Sequence, residues 1–119
     1  MTSRMKNLRV YVYDKCSTCR QALQFLDKRK LSYQKVSIVE NPPTVAELRK
    51  MLGYLDGDFK KLFNTSGVQY RELGLSQKVK SMTSEEAIQL LHGNGKLIKR
   101  PFFIADGQGK VGFKEEEWK

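Results

Sequence analysis

Two cysteines separated by two residues are the part of this 119-residue sequence with the clearest chemical potential. The motif Cys16-Ser17-Thr18-Cys19 follows a short apolar segment and precedes a helical pattern. At a helix N-terminus, free backbone N–H groups and the helix dipole lower a thiol's pKa, and the second thiol lies one turn further in. The spacing therefore predicts a redox pair, with Cys16 as nucleophile and Cys19 as the thiol that resolves a mixed disulfide.

Two other interpretations of the cysteines are weaker. A tetrahedral zinc site would need two more ligands, and the sequence contains no third cysteine and a single histidine, His92. A pair of unreactive thiols is disfavoured by the position of the motif between a strand and a helix. We therefore expect no metal or organic cofactor.

Length and composition predict one domain over residues 1–119. No apolar run reaches the roughly 20 residues of a membrane span, and residues 1–7 are polar and basic, so we expect a cytoplasmic protein without membrane contact. In that reducing compartment a cysteine pair is seldom a permanent brace. We expect the protein to be a monomer.

The charge is strongly positive, with 22 Lys and Arg against 13 Asp and Glu and a formal net charge of +9. Such a charge favours anionic substrates, acidic partners or nucleic acid. The basic residues are spread in ones and twos from Arg4 to Lys119, and no nucleic-acid motif accompanies them. We therefore predict a solvated basic surface without direct nucleic-acid binding.

The elements around the cysteines form a βαβ pattern. Residues 8–13 (LRVYVY) are typical of a buried strand, and a helix is expected from Ser17 to near Lys30. Residues 31–39 (LSYQKVSIV) predict a second strand, which the helix would place parallel to the first.

A helical insertion is expected at about residues 44–92. It contains two capping boxes, one at residues 44–47 and one at residues 83–86. The first box predicts a helix closed by Gly53, and the second predicts a helix that ends at residues 93–95. Residues 57–80 between them are expected to form small helices joined by loops.

The C-terminal part predicts a hairpin. Residues 102–105 form a short apolar strand, residues 106–109 (DGQG) a turn and residues 110–113 a second strand, with a last helical turn at residues 114–118. The predicted order of elements is that of an α/β protein. It resembles a thioredoxin-like, glutaredoxin-type core with a helical insertion between its halves.

Arg100-Pro101 precedes the first strand of this hairpin. Proline is tolerated at a strand's first position for structural reasons alone. In thioredoxin-like proteins, however, a cis proline here lies against the cysteine motif. The resemblance implies that Pro101 is cis and that Arg100 is a fixed cation near Cys16. Aromatic residues assigned to the core are Tyr11, Tyr13, Phe25, Phe102 and Phe103.

The whole chain resembles the arsenate reductase and Spx-like family of thioredoxin-fold proteins, in an uncharacterised reductase-like branch. The segments that carry the resemblance are KCSTCR (15–20), NPPTVAEL (41–48), FNTSGVQYRELGL (63–75), LIKRPFFI (97–104) and VGFKEEEW (111–118). These motifs are separated along the chain and occur in the family's order.

In glutathione- and glutaredoxin-coupled arsenate reductases, a nucleophilic cysteine attacks arsenate and three arginines hold the oxyanion. The resemblance implies that Cys16 is that nucleophile and that Arg100 is one of the arginines. Asn64 stands where the middle arginine is expected, and only Lys110 or Lys114 lies near the third. Because neither residue type supplies the forked donors of arginine, we expect inefficient arsenate reduction.

The resemblance implies a thiol-disulfide oxidoreductase acting on a small oxyanion or a disulfide. The reductant would be glutathione, a glutaredoxin or thioredoxin. Residues expected to contact the substrate are Ser17, Thr18, Arg20, Asn64, Arg100 and Pro101.

The alternative function is a redox-sensing transcriptional regulator, because C-x-x-C is characteristic of the Spx branch. Its members bind the RNA polymerase α subunit. Residues 63–75 are closer to the reductase-like branch, and the sequence ends soon after Trp118, whereas regulators usually continue with a basic tail. We therefore expect the reductase.

Overall fold

The computed structural model describes residues 6–117. Its centre is a four-stranded sheet of order β2-β1-β3-β4. β1 is parallel to β2 and antiparallel to β3, and β3 is antiparallel to β4. The strands are β1 (Arg9–Val12), β2 (Gln34–Ser37), β3 (Phe102–Ala105) and β4 (Gln108–Val111).

One helix connects β1 to β2, and four lie between β2 and β3. They are α1 (Ser17–Lys28), α2 (Val45–Tyr54), α3 (Val68–Glu72), α4 (Leu75–Lys78) and α5 (Ser84–His92). Short 3₁₀ turns occur at Phe59–Leu62, Gly95–Leu97 and Glu115–Glu117. The thioredoxin-like fold with helices between its two halves is confirmed.

The sheet separates two hydrophobic clusters because successive side chains of a strand point to opposite faces. Val10 and Val12 pack with Ala22 and Leu26 of α1 on one face. Tyr11 packs on the other face, together with residues of α2 and α5. The strand that leads into the cysteine motif is therefore held from both sides.

Helix α2 runs past its predicted end. Gly53 lies inside the last turn, which continues to Tyr54. The chain leaves the helix through Asp56 and Gly57, which have φ angles of +57° and +80°. Gly57 donates its N–H to the carbonyl of Leu52 at 2.8 Å, a helix-ending bond typical of a left-handed glycine.

The hairpin at the C-terminal end also differs from the prediction. Its turn consists of Asp106 and Gly107 alone, and Gln108 already pairs with Ala105. Asp-Gly is a two-residue hairpin signal, and Gly107 has the required positive φ of +78°. The predicted turn over residues 106–109 and strand over residues 110–113 are therefore wrong by two residues.

The other boundaries agree more closely with the sequence. β1 and β2 fall inside their predicted segments but are four residues long, since pairing between them covers only Arg9–Val12 and Gln34–Ser37. The predicted last turn is found as the 3₁₀ turn Glu115–Glu117, and Trp118 lies outside the described residues. Across residues 6–117, no helix has the length and apolar character to cross a membrane.

Candidate active site

The cysteine motif lies at the start of α1, just after the loop that follows β1. Cys16 is the N-cap of α1, with an extended backbone at φ −102° and ψ 110°. Its Sγ accepts the backbone N–H of Cys19 at 3.2 Å, and its own N–H donates to the carbonyl of Tyr13 at 3.1 Å. A sulfur thus occupies the place of the usual capping oxygen, directly at the free N–H groups of the helix.

The two thiols have different surroundings. Cys16 is partly exposed, whereas Cys19 is only 1 % exposed and belongs to the hydrophobic cluster between α1 and the sheet. Burial by itself raises the pKa of Cys16, but hydrogen bonds from the Cys19 thiol and N–H, together with Arg100, outweigh burial and lower this pKa. Burial and the Cys16 contact raise the pKa of Cys19 to about 12. The thiolate of the pair therefore resides on Cys16.

Arg100 is held next to Cys16 by two contacts. Its guanidinium lies over the ring of Tyr13, with Cζ 4.7 Å from the ring centroid, and its Nη1 donates to the carbonyl of Lys96 at 3.5 Å. The Arg100–Pro101 peptide bond is cis, as predicted. The Arg100 cation helps to lower the pKa of Cys16.

Tyr13 has a role that the sequence analysis missed. Tyr11, Phe25, Phe102 and Phe103 are buried, as expected of core aromatics. Tyr13 is only partly buried against the core, and its ring also supports Arg100. Its role could have been predicted from the sequence, because Tyr13 lies three residues before Cys16, at the end of a buried strand.

Asn64 is brought to the site by a short antiparallel contact between two loops. Its N–H donates to the carbonyl of Leu97 at 2.8 Å, and the N–H of Lys99 donates to the carbonyl of Leu62 at 2.7 Å. The helical insertion is thereby fastened to the segment that carries Arg100. The Asn64 side chain accepts a hydrogen bond from the Ser66 hydroxyl at 3.3 Å.

Asn64 and Arg100 line one open cleft of about 1090 Å³, which we call the basic cleft. Its lining holds six cationic residues and, among the residues described, no carboxylate. The cations are Lys60, Lys61, Lys99, Arg100, Lys110 and Lys114. Cys16, Thr18 and Asn64 share this lining, so four predicted site residues meet here.

The other four predicted site residues are not part of the lining. Cys19 lies below Cys16 in the core, and Pro101 is buried. Ser17 is exposed, and Arg20 donates from its Nη1 to the carbonyl of Asp14 at 3.2 Å. Arg20 therefore supports the loop before Cys16 instead of facing the cleft. Residues 6–117 contain no group of three or more His, Cys, Asp or Glu side chains that could hold a metal ion.

The sheet order, the dithiol at the start of α1 and the adjoining cis-proline segment define a dithiol protein of the thioredoxin-fold class. The family can be named from residues 11–119, which match the family model described as ArsC. The chain belongs to the ArsC family, in its arsenate reductase and Spx-like group.

Individual relatives agree with this assignment. The chain is 40% identical to the uncharacterized protein YusI of Bacillus subtilis, covering 94% of this chain and 95% of YusI. It is similar to the crystal structure of a possible arsenate reductase from Streptococcus mutans UA159, with a TM-score of 0.87, 39% identity and coverage of 94% and 97%. It is also 25% identical to the global transcriptional regulator Spx of Streptococcus mutans, covering 91% of this chain and 77% of Spx.

Proposed function

We propose that the protein is a thiol-disulfide oxidoreductase of the reducing cytoplasm in which Cys16 attacks the substrate and Cys19 resolves the adduct. The observation that carries this proposal is the contrast between the two sulfurs. Cys16 is accessible and has a lowered pKa, whereas Cys19 is buried and has a pKa of about 12. Since the thiolate is the attacking species, only one of the two sulfurs is poised to begin a reaction.

The proposed reaction transfers two electrons to a disulfide. The Cys16 thiolate attacks one substrate sulfur, which forms a mixed disulfide and releases the other half as a thiolate. Cys19 then gives up its proton and attacks Cys16 Sγ, releasing the second half as a thiolate that takes up a proton. The first thiolate takes up a proton from water, so the substrate is reduced to two thiols, and the protein is left with a Cys16–Cys19 disulfide.

A thiol reductant completes the cycle. Two equivalents of glutathione, or the dithiol of a glutaredoxin or thioredoxin, would reduce the Cys16–Cys19 disulfide by the same exchange chemistry. Arg100 and the N-terminus of α1 would stabilise the negative charge on Cys16 between cycles. Cys16 could also attack an oxyanion such as arsenate. One arginine beside a neutral Asn64 would, however, bind the oxyanion only weakly.

The experiment that tests the proposal is disulfide trapping in cells. Cys19→Ser removes the resolving thiol, so mixed disulfides with small thiols or redoxins should accumulate on Cys16 and be identified by mass spectrometry. Cys16→Ser is the control and should trap none. Trapping on Cys19 in the Cys16→Ser protein, or no trapping by either variant, would contradict the proposed mechanism.

The second candidate function is redox-sensing regulation of transcription through the RNA polymerase α subunit. The similarity to Spx, together with the C-x-x-C spacing, favours it. Under this alternative, the oxidised wild-type protein should bind the purified α subunit more tightly than the reduced protein. Negligible binding of both the oxidised and the reduced protein would exclude this regulatory function.

A further inference from the structure

The cations of the basic cleft come from separate parts of the chain. Lys60 and Lys61 belong to the 3₁₀ turn Phe59–Leu62 of the helical insertion, whereas Lys99 adjoins Arg100 before β3. The hydrogen bond from Lys99 N–H to Leu62 carbonyl ties these two parts together. Positive charge therefore borders Cys16 from the insertion as well as from the sheet.

Nothing in the described part of the chain neutralises this charge at Lys60, Lys61 or Lys99, which form no ion pair with a carboxylate of residues 6–117. The ion pairs Arg9–Glu47 and Arg49–Glu85 lie outside the cleft. A cleft lined by one sign of charge attracts and orients ligands of the opposite sign.

Lys99 passes close to a glycine of the cleft lining, Gly112. A Cβ atom at Gly112 would lie 3.1 Å from Lys99 Cε, so the stem of Lys99 runs across the space that a side chain would fill. Gly112 also has a φ of +75° and donates its N–H to the Pro101 carbonyl at 2.8 Å. The end of the Lys99 side chain thus lies close to Gly112, a residue of the same cleft lining.

The size of the cleft indicates more than a small oxyanion. Its volume of about 1090 Å³ lies just above the ~300–1,000 Å³ typical of sites for drug-sized ligands. Cys16 and the lysines line the same cleft, so a substrate that fills it contacts both. We propose that the substrate is a small, peptide-sized disulfide of net negative charge, whose two C-terminal carboxylates bind among Lys60, Lys61 and Lys99 while one sulfur meets Cys16. This inference rests on the proposed function.

The test measures the first step alone, with the Cys19→Ser protein. The Cys16 thiolate attacks a disulfide, a mixed disulfide forms, and one thiolate leaves, so mass spectrometry gives the second-order rate constant. The probes are glutathione disulfide and its diester, in which both glycine carboxylates are esterified. Each rate constant is divided by that of 2-mercaptoethanol with the same probe, which removes differences in intrinsic reactivity.

We expect the normalised rate constant to be about tenfold higher for glutathione disulfide than for its diester at low ionic strength, within the range of electrostatic steering. Added salt should reduce the preference because it screens exposed charges. Equal normalised rate constants for the two probes would overturn the inference while leaving the thiol chemistry intact. Failure of both probes to form a mixed disulfide would overturn the proposed function, and this inference with it.

Paired lysine variants locate the effect. Lys60→Gln/Lys61→Gln should lower the preference about fivefold. The control Lys78→Gln/Lys80→Gln removes the same charge from exposed positions outside the cleft and should change the preference less than twofold. Equal losses in the two double variants would show that net charge, and not the basic cleft, selects the substrate.

Discussion

The guanidinium of Arg100 rests on the ring of Tyr13, with Cζ 4.7 Å from the ring centroid. Tyr13 also accepts the N–H of Cys16 through its carbonyl at 3.1 Å. One residue at the end of β1 therefore holds both the nucleophile's backbone and the cation beside it. This arrangement makes Tyr13 a positioning residue for the Cys16 thiolate.

Removing the Tyr13 ring should raise the pKa of Cys16, because Arg100 loses a support. We expect Tyr13→Leu to slow iodoacetamide labelling of Cys16 at pH 7 about two- to fivefold, the factor that corresponds to the ~0.5–1 kcal/mol of an exposed cation–π contact. Tyr13→Phe keeps the ring and should label like the wild type. A Tyr13→Leu protein with an unchanged pH profile would show that Lys96 alone positions Arg100.

The two cysteines should differ in reactivity. Limiting iodoacetamide near neutral pH should label Cys16 first, because its pKa is lowered while that of Cys19 is raised to about 12. A lowered pKa means that the thiolate persists below the pH at which an ordinary thiol is protonated. Labelling should therefore fall only as the pH drops through this lowered pKa. The Cys16→Ser protein should be labelled slowly at Cys19, and comparable labelling of both cysteines would contradict the mechanism.

Arsenate should be a poor substrate. A coupled assay with glutathione and glutaredoxin should show weak turnover, because Asn64 and the cleft lysines lack the forked donors of arginine. Asn64→Arg should raise this turnover, since residue 64 lines the same cleft as Cys16 and Arg100. Ser76→Arg adds the same charge at an exposed position outside the cleft and serves as the control. Rapid arsenate reduction by the wild type would disprove this prediction.

Glu47 is the centre of a buried polar network under the sheet. Its side chain accepts the Tyr11 hydroxyl at 2.7 Å and the Thr44 N–H at 3.0 Å, and it also pairs with Arg9. Tyr11→Phe should lower the free energy of unfolding by about 1.5–3 kcal/mol, as expected when a hydrogen bond to a charged group is lost. Urea unfolding at neutral pH measures this effect.

The matched control for Tyr11 is Tyr33→Phe, which removes an exposed hydrogen bond of 2.9 Å to Asp27. We expect a change within about 0.5 kcal/mol there. Equal losses of stability in the two variants would mean that burial of the Glu47 network contributes little.

Two glycines should respond oppositely to alanine. A Cβ at Gly95 would lie 1.8 Å from the carbonyl oxygen of Ile38, so Gly95→Ala should cost about 3 kcal/mol or more in unfolding free energy. Gly53 lies within α2, and apart from its chain neighbours and the helix's own backbone no atom lies within 4 Å of a Cβ position there. Gly53→Ala should therefore stabilise the protein by roughly 0.5–1 kcal/mol. An unchanged unfolding free energy in Gly95→Ala would show that the backbone near Ile38 can shift at little cost.

Local patterns predicted the parts of the site that depend on neighbouring residues. The end of β1, the start of α1 at Ser17 and both capping boxes follow from short-range chemistry, and the structure contains them. The hairpin prediction was wrong by two residues because the dipeptide Gln108-Gly109 is also typical of a turn. In the structure, Gly109 is in a strand and lies close to Met51 and Tyr54 of α2.

Contacts between distant segments could not be predicted in the same way. The sequence predicts Tyr13 to be a core aromatic, like Tyr11. Its partner Arg100 lies far along the chain, and only the packing of β1 against β3 brings the two together. The basic cleft has the same origin, since its lysines are scattered in sequence and become neighbours through the Leu62–Lys99 and Asn64–Leu97 hydrogen bonds.

The burial of Cys19 also bears on oxidative damage. A peroxide arriving from solvent meets Cys16 first, since Cys19 is only 1 % exposed. A sulfenic acid formed on Cys16 would have the hydrogen-bonded Cys19 thiol beside it, and condensation of the two would release water and leave a disulfide. Thiols can reverse that disulfide, whereas further oxidation to sulfinic acid is generally permanent. Under peroxide stress, the buried Cys19 thus allows oxidised Cys16 to end as a disulfide that thiols can reduce.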